Sequence, residues 1–423
     1  MVAALGLPLN LFTWIIAGLA TLGVILRPFS WPEAIWAVAG AVLLVALGLL
    51  PWPAALEGVA KGTDVYLFLV GMMLLSEIAR KEGLFDWLAA HAVRAARGSA
   101  TRLFLLVYVV GTVVTIFLSN DACAVVLTPA VFAATKAAGV KQPLPYLFIC
   151  AFIANAASFV LPISNPANLV VFAENMPPLT RWLATFTLPS ILAIVTTYVV
   201  LRLTQNARLH GETVATEIDT PNLSLGGKVA GAGIVLTGAA LIGASAAGIE
   251  LGLPTFVAGL ATTLVVILIN RGGLVEVAKD VSWGVLPLVA GLFVLVEALE
   301  KTGVLTLLAD LLKRAAQADP AATAWAGGAV VAFGSNLVNN LPAGLLAGAA
   351  VQAAHVQEKV AGAILIGVDL GPNLSVTGSL ATILWLTAIR REGEDVSAFA
   401  FLKLGLLVMP PALVLALAAL ILV

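Results

Sequence analysis

The chain has 423 residues, 61% of them hydrophobic and only 11% charged, with a mean hydropathy of +1.06. A soluble domain carries about 25% charged residues, so a soluble globular protein is excluded, and a net charge of −1 offers no footprint for nucleic acid. Apolar runs near the ~20 residues that cross a bilayer recur from end to end, and the fold class that follows is an all-α polytopic membrane protein.

The first runs, 9–26, 34–50 and 65–79, read as three crossings, and no basic stretch precedes them to suggest a cleaved signal. Residues 84–97 have the spacing of an amphipathic helix lying along the membrane surface. Residues 101–138 then read as a helical hairpin with Ser119, Asn120 and Asp121 at its tip, inside "TIFLSNDACAVVLTP". Its return arm, about 12–14 apolar residues, reaches only ~20 Å against a ~30 Å hydrocarbon core, so the hairpin is re-entrant. A helix over 143–174 follows, broken near 162–166 by prolines, and 183–201 is the last crossing before the most polar stretch, 204–227.

Beyond that stretch the order repeats. Runs 229–249, 255–269 and 284–299 cross, and 304–317 is amphipathic. Residues 321–354 form a second hairpin with Asn339 and Asn340 at its tip, 358–389 is broken near 371–378, and 404–423 closes the chain. "GMMLLSEIARKEGL" at 71–84 matches "GLFVLVEALEKTGV" at 291–304, placing Glu77 on Glu297 and Lys81 on Lys301. "SNDAC" at 119–123 meets "VNNLP" at 338–342, which pairs Asn120 with Asn339 and Asp121 with Asn340. "PISNPANLV" at 162–170 meets "VTGSLATIL" at 376–384. The chain therefore divides into repeats 1–203 and 228–423 joined by the linker 204–227. Five crossings in each half invert the second repeat. The expectation is about ten transmembrane helices plus two re-entrant hairpins and two interrupted helices.

Counting Lys and Arg orients the chain. The side that holds the linker carries 16 of the 22 basic residues, leaving Lys61, Arg181, Lys301, Lys313, Arg314 and Lys359 opposite. The linker is thus cytoplasmic, and both termini face outward.

Irregular backbone at membrane depth survives only where protein buries it or a watery cavity meets it. Hairpin tips and helix breaks should therefore converge on one substrate site. The first half supplies Ser119, Asn120, Asn165 and Asn168, with Ser164 beside them; the second supplies Asn339, Asn340, Asn373, Thr377 and Ser379, with Asn336 and Thr382. These amides and hydroxyls both donate and accept hydrogen bonds, and the set has no Arg, Lys or His. A dicarboxylate or phosphate would be expected to recruit Arg, although helix N-termini alone can hold an anion. Each Asn or Ser also has a structural use as a cap on a broken helix end.

Asp121 and Asp369 are the acids placed in the interior, where a carboxylate costs roughly 2.5–3.5 kcal/mol and its retention marks ion or proton handling. Glu77 and Glu297 lie four residues before Lys81 and Lys301, the spacing of an intrahelical ion pair. Cys123 and Cys150 read as small buried hydrophobes, and His91, His210 and His355 are scattered. No metal site, nucleotide loop or catalytic triad is present, so neither a cofactor nor an enzyme is expected.

At these motifs the chain resembles a known family. "FLSNDACAVVLTPAV", "NAASFVLPISNPANLVVF" and "GVDLGPNLSVTGSLATILWL" resemble the signature segments of the ArsB arsenite/antimonite efflux permeases of the ion transporter superfamily. The resemblance spans essentially the whole chain. It implies an exporter of arsenite and antimonite as neutral trihydroxides, driven by exchange for protons across the inner (plasma) membrane. It also implies scaffold and transport domains, and some relatives work with a soluble ATPase subunit. Cys123 is a poor ligand for such a solute, because tight As–S bonding would trap what must be released. A sodium/proton antiporter, using the same tips with Asp121 or Asp369 on Na⁺, and a small organic anion transporter of the same superfamily are the alternative readings.

Overall fold

The computed structural model describes residues 9–172, 176–216, 218–219, 221–270 and 274–422. Residues 173–174 of the first broken helix, linker positions 217 and 220, Arg271 of the basic tally and both chain ends lie outside the described residues.

Among the described residues the fold is helical, with a lone bridge between Ser99 and Thr213 as its extended pairing. In chain order the helices are α1 (Leu9–Leu26), α2 (Glu33–Ala46), α3 (Trp52–Lys61), α4 (Thr63–Lys81), α5 (Leu84–Ala96), α6 (Ala100–Leu118), α7 (Thr128–Ala137), α8 (Leu144–Ala156), α9 (Pro166–Phe172) and α10 (Leu179–Thr204). A short α11 (Asn206–Leu209) opens the linker. Then come α12 (Leu225–Ala246), α13 (Gly252–Asn270), α14 (Leu274–Asp280), α15 (Val285–Lys301), α16 (Val304–Ala318), α17 (Pro320–Val338), α18 (Asn340–Ala354), α19 (Glu358–Leu370), α20 (Leu380–Arg391) and α21 (Ala398–Leu422).

Six of these helices, α6, α10, α12, α13, α17 and α21, are long and apolar enough on their own to cross a membrane. The pair α3 and α4, bent by 46°, would make a seventh. The expected count of about ten also includes spans built from shorter helices. α18, with 15 residues, is about 22 Å long and falls short of a crossing.

Local chemistry explains the boundaries. Ser99 Oγ accepts from the Arg102 amide at 3.3 Å and starts α6; Asp319 Oδ1 accepts from the Ala322 amide at 3.0 Å and starts α17. The corners from α4 to α5 and from α15 to α16 turn on Gly83 (φ 74°) and Gly303 (φ 81°), a left-handed conformation that costs glycine nothing. Two short helices, α3 and α14, precede α4 and α15 and were not expected from the hydropathy pattern. α3 carries Pro53 in its first turn, where a missing N–H is harmless.

The halves are not packed side by side. α4 lies against α13 of the other half, and α15 against α2. Both crossings are close because small residues meet: a Cβ on Gly71 would overlap the Thr255 carbonyl, and one on Gly291 would lie 2.7 Å from Ala37 C. Across the halves, α2 and α3 pack on α15 and α4 on α13, whereas α7–α10 pack on α18–α21; α5 and α6 meet the second half at α12. α17 turns Val330 and Leu337 outward, 70% and 76% exposed, as a lipid-facing helix would.

The two glutamates do more than pair within their own helices. Glu297, 2% exposed, takes Lys61 of the other half at 2.6 Å as well as Lys301 at 3.2 Å. Glu77 meets Arg80 at 2.6 Å more closely than Lys81 at 4.0 Å, and Lys81 turns to Asp280 at 3.1 Å. The hydrogen bond from Lys81 holds the Asp280 carboxyl below the usual carboxylate range.

Candidate functional site

The polar tips sit where α6 and α17 stop. Ser119 takes φ 100°, ψ 162° and Asn339 takes φ 70°, ψ 151°. That region of backbone space is close to glycine-only and costs a side-chain-bearing residue about 1–3 kcal/mol. Both hairpins store this strain at the same structural position. Counted from it, Ser119 corresponds to Asn339, Asn120 to Asn340 and Asp121 to Leu341. The pairing of Asn120 with Asn339 and of Asp121 with Asn340 is therefore off by one, because three polar letters in a row align equally well in either register. The single-acid character of the pair survives, since Leu341 cannot titrate.

Capping accounts for part of the polarity. Asn120 Oδ1 accepts from the Asp121 amide at 2.9 Å, and Asn339 Oδ1 accepts from the Leu341 amide at 3.3 Å. Asn339 Nδ2 also reaches the Thr377 carbonyl at 3.4 Å. Asn340 is buried beside it.

The helix breaks are built by proline. α8 ends at Ala156, earlier than expected, and the chain is irregular through 157–165. Pro162 has no N–H to give the Ser158 carbonyl four residues back, so that carbonyl needs another donor. Asn168 Nδ2 supplies the missing donor to that carbonyl at 2.9 Å and reaches the Leu161 carbonyl at 3.2 Å. In the second half Asn336 Nδ2 donates to the Gly371 carbonyl at 2.9 Å, Ser375 Oγ to Asn336 Oδ1 at 2.7 Å, and Thr377 Oγ1 to the Asn336 carbonyl at 3.1 Å. Ser164 Oγ does the like in the first half, donating to the Ile116 carbonyl at 2.9 Å. Asn165 and Ser379 cap the second pieces, accepting from Ala167 (3.0 Å) and Thr382 (3.1 Å) amides.

The breaks are also tied to each other across the halves. Asn165 Nδ2 donates to Asp369 Oδ1 at 2.8 Å. Asn155 Nδ2 donates to Asn373 Oδ1 at 3.0 Å, and Asn373 Nδ2 to the Phe152 carbonyl at 3.0 Å. Asn155, Asn168, Asp369 and Asn373 are fully buried. In this network Asp369 Oδ2, Asn155 Oδ1 and Asn168 Oδ1 have no partner among the described residues, which is costly for buried oxygens. α9 packs against the return arm α18, and α20 against the return arm of the first hairpin, so each half closes on the other.

The structure thus brings Asn165, Asn168, Asp369, Asn373 and Ser379 into one network and Asn339 and Thr377 into its neighbour. Ser119, Asn120 and Asp121 stand at the other tip. The Asp121 carboxyl is half-buried and has no side-chain hydrogen bond among the described residues. Asn155, Ser158 and Ser375 were not expected at the site. Asn155 had a signal, as the lone amide in the apolar run "LPYLFICAFIANA".

Two cavities flank α9. One of about 480 Å³ is lined by Val171, Phe172, Arg181, Gln352, His355 and Glu358. The other, about 330 Å³, lies between Leu169 and Val170 on one wall and Lys61, Asp64 and Glu250 on the other.

The citrate transporter family (CitMHS) matches residues 12–368 of this chain. An arsenical pump membrane protein of Escherichia coli is 26% identical over 366 residues, covering 83% of this chain and 84% of its own. That of Yersinia enterocolitica is 26% identical over 362 residues, with the same 83% and 84% coverage. The crystal structure of the YdaH transporter of Alcanivorax borkumensis superposes with a TM-score of 0.58 at 16% identity, over 95% of this chain and 97% of that one. At that identity it speaks for the fold alone. With its helical membrane architecture and this match over most of its length, the chain is similar to arsenical pump membrane proteins and belongs to the CitMHS citrate transporter family.

Proposed function

We propose that the protein exports arsenite and antimonite from the cytoplasm as neutral trihydroxides, in exchange for protons. The observation that carries this reading is the make-up of the polar network. Its side chains are amides and hydroxyls with one carboxyl, that of Asp369, and no Lys, Arg or His hydrogen-bonds within it among the described residues. A citrate-like anion would meet no fixed positive side chain there, whereas As(OH)₃ offers three hydroxyls to groups that both donate and accept. The similarity to arsenical pump membrane proteins supports the same solute.

In this reading Ser119, Asn120, Asn339 and Asn340 present the tips to the solute. Asn165, Asn168, Asn373, Thr377 and Ser379 hold the broken helices around it. Asp121 carries the exchanged proton, with Asp369 in reserve. Hydrogen bonds of ~0.5–1.5 kcal/mol each are strong enough to select the solute and weak enough to release it. Leu169 and Val170, next to Asn168, line a cavity with Lys61 and Glu250, which supports that cleft as the route to one membrane face.

Sodium is the second reading, favoured by the unpartnered oxygens of Asp369, Asn155 and Asn168. Proteoliposomes given arsenite or sodium under an imposed pH gradient separate the two. Arsenite accumulation is expected, and gradient-driven sodium flux without arsenite flux would overturn the assignment. In the same assay Asn120→Ala and Asn339→Ala should each lower arsenite affinity several-fold, one hydrogen bond being worth ~0.5–1.5 kcal/mol.

The repeats 1–203 and 228–423 are proposed to be inverted in the inner membrane, with the linker 204–227 cytoplasmic and both termini outside. The matched order of helices in the two halves supports the division, and the basic asymmetry supports the orientation. Cysteines placed in the linker should resist an impermeant thiol reagent added to intact cells, while cysteines near either terminus should label. Linker labelling from outside would reverse the topology.

A further inference from the structure

We propose that Thr128 and Pro129 are positioning residues that aim the Asp121 carboxyl, by holding a one-residue expansion in the helix directly behind it. The proposal rests on the role given to Asp121 above. Between the tip and α7 the chain forms a π-turn, Ala122–Leu127, wider than an α-turn. Such turns are rare and gather at functional sites.

The cause is local. Pro129 has no N–H, and in an α-ladder its ring would press on the Val125 carbonyl. Widening the turn avoids that contact and leaves the Ala124 carbonyl as the group that Pro129 would serve in the π pattern. Thr128 Oγ1 fills the gap, donating to the Ala124 carbonyl at 2.7 Å and lying 3.4 Å from the Cys123 carbonyl. Cys123 Sγ, on the same turn, sits 3.6 Å from the Cys150 carbonyl of α8, which fixes the turn against its neighbour.

The other hairpin provides the contrast. Counted from the strained tip residues, Thr128 and Pro129 fall on Gly348 and Ala349, and α18 runs as an α-helix from Asn340 to Ala354. One extra residue in a turn rotates everything before it by about 100° relative to the helix that follows. In the first hairpin that rotation acts on Asp121, the acid at the tip, a partly buried residue whose carboxyl has no hydrogen bond among the described residues.

Pro129→Ala restores the backbone donor and lets the α-ladder close. Thr128→Val removes the surrogate donor at constant shape, and Thr128→Ser restores it. Two readouts are needed. The first is labelling of single cysteines at 120, 121, 122 and 124 by a small thiol reagent, with no substrate present, Cys150 replaced by Ala, and Cys123 by Ser to keep a donor toward the carbonyl at 150. The second is arsenite accumulation across a pH series, measured with the native residues at these positions. Pro129→Ala is expected to move the reactive position by one residue and to abolish accumulation with a changed pH profile. Thr128→Val should do the same in part, and Thr128→Ser should behave as wild type. An unmoved labelling pattern, or a moved one with wild-type rate and pH profile, would overturn the proposal. Labelling is read without solute, so a wild-type chain that moves no arsenite counts against the substrate reading and not against the turn.

Discussion

Asp121→Asn is expected to bind arsenite but to stop concentrating it. The substitution keeps the size of the side chain, and among the described residues Asp121 makes no side-chain hydrogen bond that would be lost. What disappears is the ability to alternate between charged and neutral forms as the site faces each side. An acid retained at this depth against a cost of roughly 2.5–3.5 kcal/mol fits that use. Asp121→Asn should therefore equilibrate arsenite across proteoliposomes and show no uphill accumulation under a pH gradient. Asp369→Asn, held by Asn165 and fully buried, should retain more coupling. Uphill transport by Asp121→Asn at the wild-type rate and pH dependence would transfer the role to Asp369.

Asn165→Ala should damage stability more than any other single change at the site. It removes the donor to Asp369 Oδ1, whose second oxygen already lacks a partner, and the cap on the Ala167 amide. An unsatisfied buried acceptor costs about 1–3 kcal/mol and a lost cap about 1 kcal/mol. The expected loss is thus about 2–4 kcal/mol, read as unfolding in detergent. Residues in one network are not additive, so Asn165→Ala should cost less when introduced into Asp369→Asn. Equal costs in the two backgrounds would show that the cross-half bond is not what holds the breaks together.

Helix order was legible because an apolar run of crossing length in a chain this poor in charge has nowhere to go but the bilayer. The hairpins and breaks were legible from prolines and from polar triplets in apolar surroundings. Three things were not. α3 and α14 are too short and too charged to register as hydropathy, and they appear only once Lys61 is seen on Glu297 and Asp280 on Lys81. The register of the tips needs a dihedral angle: nothing in "SNDAC" and "VNNLP" says which residue carries the positive φ. The end of α8 has no proline or glycine to mark it before Pro162, and Asn155 was passed over because its partner, Asn373, lies 218 positions away. Long-range partners leave no local trace in composition or period.

The exchange of helices between halves has a consequence for how the chain is made. Asp64 at the start of α4 accepts from the Gly252 amide 188 positions later, and the space beside Gly71 of α4 is filled by Thr255 and Phe256 of α13. At synthesis rates of ~5–20 residues per second, α4 waits roughly 10–40 s in the membrane before its partner leaves the ribosome. During that interval its small-residue face is open to lipid or to another nascent chain. The first half made alone is therefore expected not to mature, and a gene cut in the linker should yield stable protein only when both pieces are made together.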